Sequence, residues 1–246
     1  MARWLAVLWT VLGCLAAAAA PPARAEAVDL LLVLCMDASG SIDAGEFELQ
    51  RRGYAEALTD ARILDAVRGG PQGAIAVAIV EWGAPQGAAT VVPWMVVRDG
   101  ASAEAVAAAL IAAPRSTQSY NAIGDAIDHS RRLLETAPHE ARRRVIDLSG
   151  DGPDMRSVKP ATRARDETVA AGITINALAI VETGVGGSRG EPLEQHYEHE
   201  VIGGPGAFVV VAQGRPSFAR AIRAKLVREV AGLPGPTRVA VYAGSP

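Results

Sequence analysis

Lysine occurs only twice in these 246 residues, at Lys159 and Lys225, and the formal net charge is −3 with no basic run anywhere. A nucleic-acid ligand needs clustered positive charge to displace counterions from phosphates, so that class of partner is excluded. Cysteine is as scarce, with Cys14 and Cys35 alone. The chain also lacks a Gly-x-x-x-x-Gly-Lys loop to cradle phosphates and a Gly-x-Ser-x-Gly elbow to raise a serine nucleophile. His196-x-x-His199, with Glu198 and Glu200, has neither of the usual zinc spacings and reads as a solvated helix face. What is present is ordinary for a globular protein: half the residues are hydrophobic and 21% are charged, with both signs mixed. A chain of this length buries roughly three quarters of its unfolded surface, enough for a sizeable core. No internal repeat appears, and no linker long enough to divide the chain.

The amino terminus predicts export. Arg3 precedes the apolar run from Trp4 to Ala20, which ends in Pro21-Pro22 and then Ala23-Arg24-Ala25. A basic start, an apolar stretch and a small-x-small site form the pattern of a secretory signal peptide, residues 1–25, with cleavage after Ala25 and a periplasmic or secreted product. A retained membrane anchor is the alternative, although the run is short for a span and mostly alanine in its distal part. Val11-Leu12-Gly13-Cys14 also partly resembles a lipoprotein signal, but apolar residues continue past Cys14. Cleavage removes Arg3 and Arg24, which leaves 22 basic against 27 acidic residues, a net charge of −5. Cys35 would then be the one cysteine left, so no intramolecular disulfide forms, and inside an apolar strand it serves as a small buried hydrophobe.

Along the rest of the chain, aliphatic runs alternate with helical patterns. Val28 to Met36 is nearly unbroken in apolar character, as befits a strand buried on both faces. Further strands are predicted over 74–82, 90–97, 144–148, 173–180 and 207–211, the first two of these joined across the turn-rich 83–87 as a hairpin or an antiparallel edge excursion. Helices are predicted over 44–58, 61–67, 102–113 with Ser102 as N-cap, 122–136, 160–171, 191–201 and 216–231. Asp43 and Glu46 form a capping pair for the first helix. Asp147, a carboxylate inside a strand, must be paired or hydrogen-bonded and is read as structural. Residues 181–190 read as a glycine-rich loop, and 233–246, with three prolines and two glycines, as a tail. The predicted fold is an α/β three-layer, Rossmann-like sandwich: a mainly parallel central sheet with one antiparallel edge strand and helices on both faces, occupying 26–232.

In such sheets ligands bind outside the carboxyl ends of the strands. Three polar clusters fall there: Asp37-Ala38-Ser39-Gly40-Ser41, the loop from Arg115 to Asn121, and Asp151-Gly152. One carboxylate and two hydroxyls on alternate residues of a single turn suit a hard divalent cation, and Asp151 would add a second carboxylate from a strand far away in sequence. Each feature has a plainer reading, since Asp, Ser and Asn are also favoured N-caps. Asp154 and Arg156, on the loop after Asp151, could rim the binding face or be merely solvated.

Asp37-Ala38-Ser39-Gly40-Ser41 after an aliphatic strand, with Asp151-Gly152 after a later one, resembles the metal-ion-dependent adhesion site (MIDAS) of von Willebrand factor A domains. The resemblance runs from about Val28 to Ala231. The segments Val80-Glu81-Trp82, 145–153 and 201–206 are similar to a group of exported bacterial proteins of this type whose function is unknown. It implies Ser39 and Ser41 as direct ligands, with Asp37 and Asp151 acting directly or through water. The family usually places a threonine before the pattern Ser/Ala-Ile-Gly-x-Ala-Ile; here Asn121 precedes Ala122-Ile123-Gly124-Asp125-Ala126-Ile127. An asparagine oxygen still ligates a hard cation, with different reach, and Thr117 is the other candidate in that loop. The expected ligand set is Asp37, Ser39, Ser41, Asn121 and Asp151, and the expected ion Mg²⁺, with Mn²⁺ or Ca²⁺ as alternatives. The expected function is a non-catalytic module that binds a protein partner through an Asp or Glu carboxylate. A metal-assisted hydrolase using the same cluster and a vestigial, metal-free interaction domain are the alternatives; against the hydrolase, all four histidines lie outside the site loops.

Overall fold

The computed structural model describes residues 25–182, 186–214, 217–233 and 235–242. The expected signal peptide, with Cys14, falls almost wholly outside them, as does part of the glycine-rich loop. Among the described residues no helix is long and apolar enough to cross a membrane.

In chain order the elements are β1 (Glu26–Ala27), β2 (Leu30–Asp37), α1 (Ala44–Leu58), α2 (Ala61–Arg68), β3 (Ile75–Trp82), β4 (Ala89–Val97), α3 (Gly100–Ala112) and α4 (Ile123–Glu135). There follow β5 (His139–Glu140), β6 (Arg143–Gly150), α5 (Ala161–Ala170), β7 (Thr174–Val181), α6 (Leu193–His196), a π-helical turn (Tyr197–Val201), β8 (Val209–Gln213), α7 (Phe218–Ala231) and β9 (Arg238–Tyr242). Seven strands form one sheet in the order β4-β3-β2-β6-β7-β8-β9, and β1 pairs with β5 in a separate two-stranded ribbon. Within the large sheet β4 runs antiparallel to β3, and every other pairing is parallel. Pro93 lies in β4, where an edge strand can tolerate a residue without an N–H.

All eight residues of β2 are buried. Leu30, Leu32, Leu34 and Met36 join a core beneath α1, α2, α3 and α7, whereas Leu31, Val33 and Cys35 join a second core beneath α4, α5 and α6. Two-sided burial is why the strand reads as an unbroken aliphatic run, each fully buried Leu or Val contributing about 1.5–3 kcal/mol. Cys35 is one of these core residues; the Ser130 hydroxyl lies 3.4 Å from its sulfur, and burial pushes the thiol up to about 12, so it stays protonated.

Local signals account for most boundaries. Asp43 and Glu46 form the expected capping box, with Glu46 N–H donating to Asp43 Oδ1 at 2.9 Å and Asp43 N–H donating to Glu46 Oε2 at 2.9 Å. The α3 cap differs from expectation: Asp99 is the N-cap, and Ser102 is the third helical residue, reaching back to the Asp99 N–H at 3.0 Å. Ser102 alone looks like a cap because Asp99 is separated from the apolar pattern by Gly100 and Ala101. The prolines and glycines after 232 are followed by β9, which pairs in parallel with β8 from Val209↔Arg238 to Gln213↔Tyr242. Turn-rich composition there marks the approach to an edge strand, within what reads as a tail.

Candidate metal centre

The chain goes from β2 to β3 on one side, then crosses to β6 on the other, so the order of strands reverses between β2 and β6. Their ladder reaches Cys35↔Leu148, and Asp37 and Asp151 stand two and three residues beyond that pair. The crevice at such a reversal is where sheets of this class bind ligands.

The first and third loops meet directly. Ser39 N–H donates to Asp37 Oδ1 at 2.8 Å, the hydroxyls of Ser39 and Ser41 are 3.0 Å apart, and the Ser41 hydroxyl lies 3.1 and 3.3 Å from the two Asp151 oxygens. Asp151 N–H points at Asp37 Oδ2 at 3.4 Å. Asp37 is fully buried and Ser39 nearly so, Ser41 is exposed, and Asp151 and Asn121 are half-buried. Burial pushes the Asp37 carboxyl up to about 8, the neighbouring charge of Asp151 pushes it the same way, and the N–H groups of Ser39 and Asp151 oppose them. Two carboxylates brought together at one strand edge favour a positive ion between them.

The second loop is joined to both others. Arg115 donates to Ile42 O at 2.8 Å, and Met155 N–H donates to Asn121 O at 2.7 Å. Its path is set from beneath by Glu81, fully buried, which is 2.5 Å from Arg51 Nη2 and accepts the Ser116 N–H at 2.8 Å. Gln118 ties it to the β3–β4 turn, accepting from Ala84 N–H and donating to Gly87 O, each at 2.8 Å.

Asn121 is not the cap of α4. That position is Ala122, which has no side-chain cap bond, and the Gly124 N–H is met instead by Ser157 Oγ at 2.9 Å and Asp154 Oδ1 at 3.2 Å from the third loop. The other Asp154 oxygen accepts the Ala161 N–H of α5 at 3.1 Å. Asp154 is therefore a clamp on two helix starts, where the sequence left open a rim or solvated role. Losing it should cost about 1–2 kcal/mol, the usual range for a cap; the urea midpoint of Asp154→Ala should fall by that free energy divided by the slope, with the slope itself unchanged. Asp125 acts in parallel, accepting N–H groups of Gln86 (2.9 Å), Val158 and Lys159 (both 3.0 Å).

Freed from capping, the Asn121 side chain packs against Gly152, and its Oδ1 is buried and has no hydrogen-bond partner. A buried carbonyl oxygen left unpaired costs about 1–3 kcal/mol, so this atom is suited to a cation. Thr117 in the same loop is exposed. Gly152 makes the approach possible, because a Cβ there would lie 2.5 Å from Asn121 Nδ2. Gly152→Ala should displace Asn121 and weaken divalent binding by about tenfold, the equivalent of roughly 1.4 kcal/mol, which calorimetric titration with Mg²⁺ would measure. With oxygen donors only, from two carboxylates, two hydroxyls and one amide, the residues fit a hard divalent cation.

His196 departs from expectation. It is fully buried, whereas His199 is exposed. Its Nε2 accepts the Asp154 N–H at 3.3 Å, so Nδ1 carries the ring proton and faces Glu191 Oε1 at 3.2 Å. Glu191, His196 and Glu200 offer ligand-type atoms within 4.8 Å of one another, a separation one divalent ion can span. An ion at Nδ1 would have to displace the proton that this hydrogen bonding holds there, and Glu200 is already paired with Arg189 at 2.7 Å. The arrangement joins the π-helical region to the third site loop, as does Tyr197, whose hydroxyl donates to Gly152 O at 3.1 Å. Sequence spacing pointed away from zinc but gave no sign of this burial.

Backbone strain gathers at the same edge. Among the described residues, the non-glycine positions with positive φ are Gln86 (54°), Tyr120 (63°) and Arg156 (67°). All three lie in loops around the site, and each such conformation costs of order 1–3 kcal/mol.

Comparison with known proteins agrees with this architecture. A von Willebrand factor type A protein from Catenulispora acidiphila superposes with a TM-score of 0.56 at 20% identity, over 83% of this chain and 43% of that one. Proximal thread matrix protein 1 from the mussel byssus, solved with a zinc-occupied MIDAS motif, gives 0.58 at 20% identity, over 83% and 46%. The pilus adhesin SpaC from Lactobacillus rhamnosus GG in its open conformation gives 0.56 at 16%, over 85% and 30%. The chain thus spans less than half the length of each of these structures. No curated protein matches it in sequence. Residues 27–234 match the model of a family described as protein of unknown function (DUF1194), and to that family, built on the von Willebrand factor A-type fold, the chain belongs.

Proposed function

We propose that this protein is an exported, non-catalytic binding module in which Asp37, Ser39, Ser41, Asn121 and Asp151 hold a divalent cation, Mg²⁺ in the first instance, for the capture of an acidic group on a protein partner. The observation that carries the reading is the unpartnered, buried Asn121 Oδ1, on a side chain packed against Gly152, next to Asp151, whose carboxylate meets Ser41 and whose N–H meets Asp37. The bound ion would supply a positive centre with an open position for a partner's carboxylate. The chain's own residues supply the rest: Asp37 and Asp151 balance the charge, the serine hydroxyls complete the turn, and the loops are held in register by Glu81, Gln118, Asp125 and Asp154. No histidine belongs to the ligand set, and the nearest, His196, has both ring nitrogens engaged, which supports binding over hydrolysis.

Support also comes from the fold neighbours, which include an adhesin and a matrix protein whose site of this kind holds zinc. Export rests on the Arg3 to Ala25 pattern and is tested by N-terminal sequencing of the protein recovered from the producing cell. The cation reading is tested by titrating the purified protein with MgCl₂ and MnCl₂ in a calorimeter, beside Asp37→Asn. Saturable binding in the parent that is absent from the variant supports it. Equal heats in both would remove the site, and no heat in either would leave a metal-free interaction domain.

A further inference from the structure

Three of the six exposed large apolar side chains among the described residues, Tyr120, Met155 and Val158, lie on the two loops that carry Asn121 and Asp151. Tyr120 is 48% and Met155 47% exposed, and the two are bound into one surface because Met155 N–H donates to the carbonyl of Asn121, the residue after Tyr120. Arg156, next to Met155, places its guanidinium 5.3 Å from the centre of the Tyr120 ring. Tyr120 and Arg156 are both exposed and both held at positive φ, where glycine would sit without strain. Neither side chain gains core burial in return. Side chains kept on a backbone that disfavours them, in the open, beside a ligand site, point to use by something outside the fold. Tyr, Met and Arg are also the residue types enriched at the centres of protein interfaces.

We propose that Tyr120, Met155 and Arg156 form an apolar and cationic rim beside the cation site, selecting partner segments in which the captured carboxylate is adjacent to a bulky apolar side chain. The inference rests on the cation reading above and adds the partner's chemistry to it. The cation and Arg156 together make the surface favourable to an acidic segment. The Tyr120 ring and the Met155 thioether give that segment's apolar neighbour a surface to cover, and water leaves both on contact. Specificity among acidic partners then comes from the rim, because every carboxylate meets the ion alike.

The test pans a phage-displayed library of random linear peptides against the full chain in Mg²⁺, elutes with EDTA, and measures the selected peptides against the parent, Met155→Ala and Arg156→Gly. The expected pool is acidic with an apolar residue next to the Asp or Glu. Both variants should bind it on the order of tenfold more weakly, with Mg²⁺ affinity held and with Arg156→Gly melting no lower than the parent, since glycine relieves the positive φ. A merely structural role for Arg156 predicts the opposite change in melting. An EDTA-sensitive pool with acidic residues but no apolar neighbour, or one bound equally by the variants, overturns the rim while leaving the cation reading in place. A parent that binds no Mg²⁺ in the calorimeter defeats the cation reading, and the rim with it.

Discussion

Lys225→Met should destabilise the protein by about 3–5 kcal/mol, enough to lower the denaturant midpoint sharply and to reduce the yield of folded protein. Lys225 sits on α7 with no solvent exposure, its Nζ 2.5 Å from Asp147 Oδ1 in β6 and 2.7 Å from Glu229 Oε1 one helical turn on. Asn176 of β7 donates to the same Glu229 oxygen at 2.9 Å and receives the Phe208 N–H at 3.1 Å. Removing the ammonium leaves two buried carboxylates side by side, whereas methionine fills the space but offers no charge.

Glu229→Gln should change stability by less than about 1 kcal/mol at neutral pH, within the range of a tolerated polar replacement. Burial pushes the Glu229 carboxyl well above the usual carboxylate range, the charge of Asp147 pushes it further, and Lys225 opposes both. Glutamine keeps the shape and an Oε1 acceptor for Lys225 and Asn176, and it leaves Asp147 and Lys225 balanced. The sign of the pH effect follows. A carboxyl whose folded value is raised contributes stability in full below its unfolded value, near 4.3, and loses it as pH rises toward the folded value. The parent should therefore weaken relative to Glu229→Gln as pH rises from the acid into the alkaline range. Denaturant midpoints across that range measure it, and a parallel pair of curves would show that Glu229 does not titrate differently in the fold. Tyr54 on α1 and Arg228 on α7 also feel the charge of Glu229.

The second large effect is expected from the cation. Saturating Mg²⁺ at about one hundred times its dissociation constant should stabilise the fold by about 2.7 kcal/mol, a rise in Tm of roughly 5–10 °C for a chain of this size. Asp37→Asn should abolish that rise. It should not weaken the metal-free protein, because it removes a fully buried carboxylate while keeping an oxygen for the Ser39 N–H, 2.8 Å away in the parent. A variant that melts as high as the metal-free parent yet ignores Mg²⁺ separates a ligand from a structural residue. A parent whose Tm does not respond to Mg²⁺ would count against the site as a whole.

Much of this was legible beforehand because the relevant signals are local. The aliphatic run of β2 and the capping box at Asp43 set the start of the first site loop and of α1, both within a few residues of the chain. Asp37, Ser39 and Ser41 could be chosen because alternate oxygen donors in one turn form a short-range pattern. Ser102 looks like the cap in sequence because Asp99, the cap in the structure, lies just outside the apolar periodicity that locates α3. His196 read as solvated because its helical turn is short and polar, and nothing in Glu-Gln-His-Tyr-Glu announces that Asp154 will meet the ring from another loop. Glu81 and Asp125 appeared only inside motif-like segments; their partners are Arg51 and Ser116 in one case, and Gln86, Val158 and Lys159 in the other.

The amino-acid sequence by itself determined the succession of strands and helices, the two-sided burial of the central strands and the donor turn after β2. Each of these follows from periodicity, capping and steric preference over a span of one element. The tertiary structure alone decided that Ser41 meets Asp151 across 110 residues, that Asn121 turns an unpaired oxygen inward, that Lys225 stands between Asp147 and Glu229, and that Tyr120 and Arg156 stack at the rim. These are pairings between distant loops and helices, set by how the layers pack around the sheet, and the free energy that selects them is shared among many residues rather than written in any one segment.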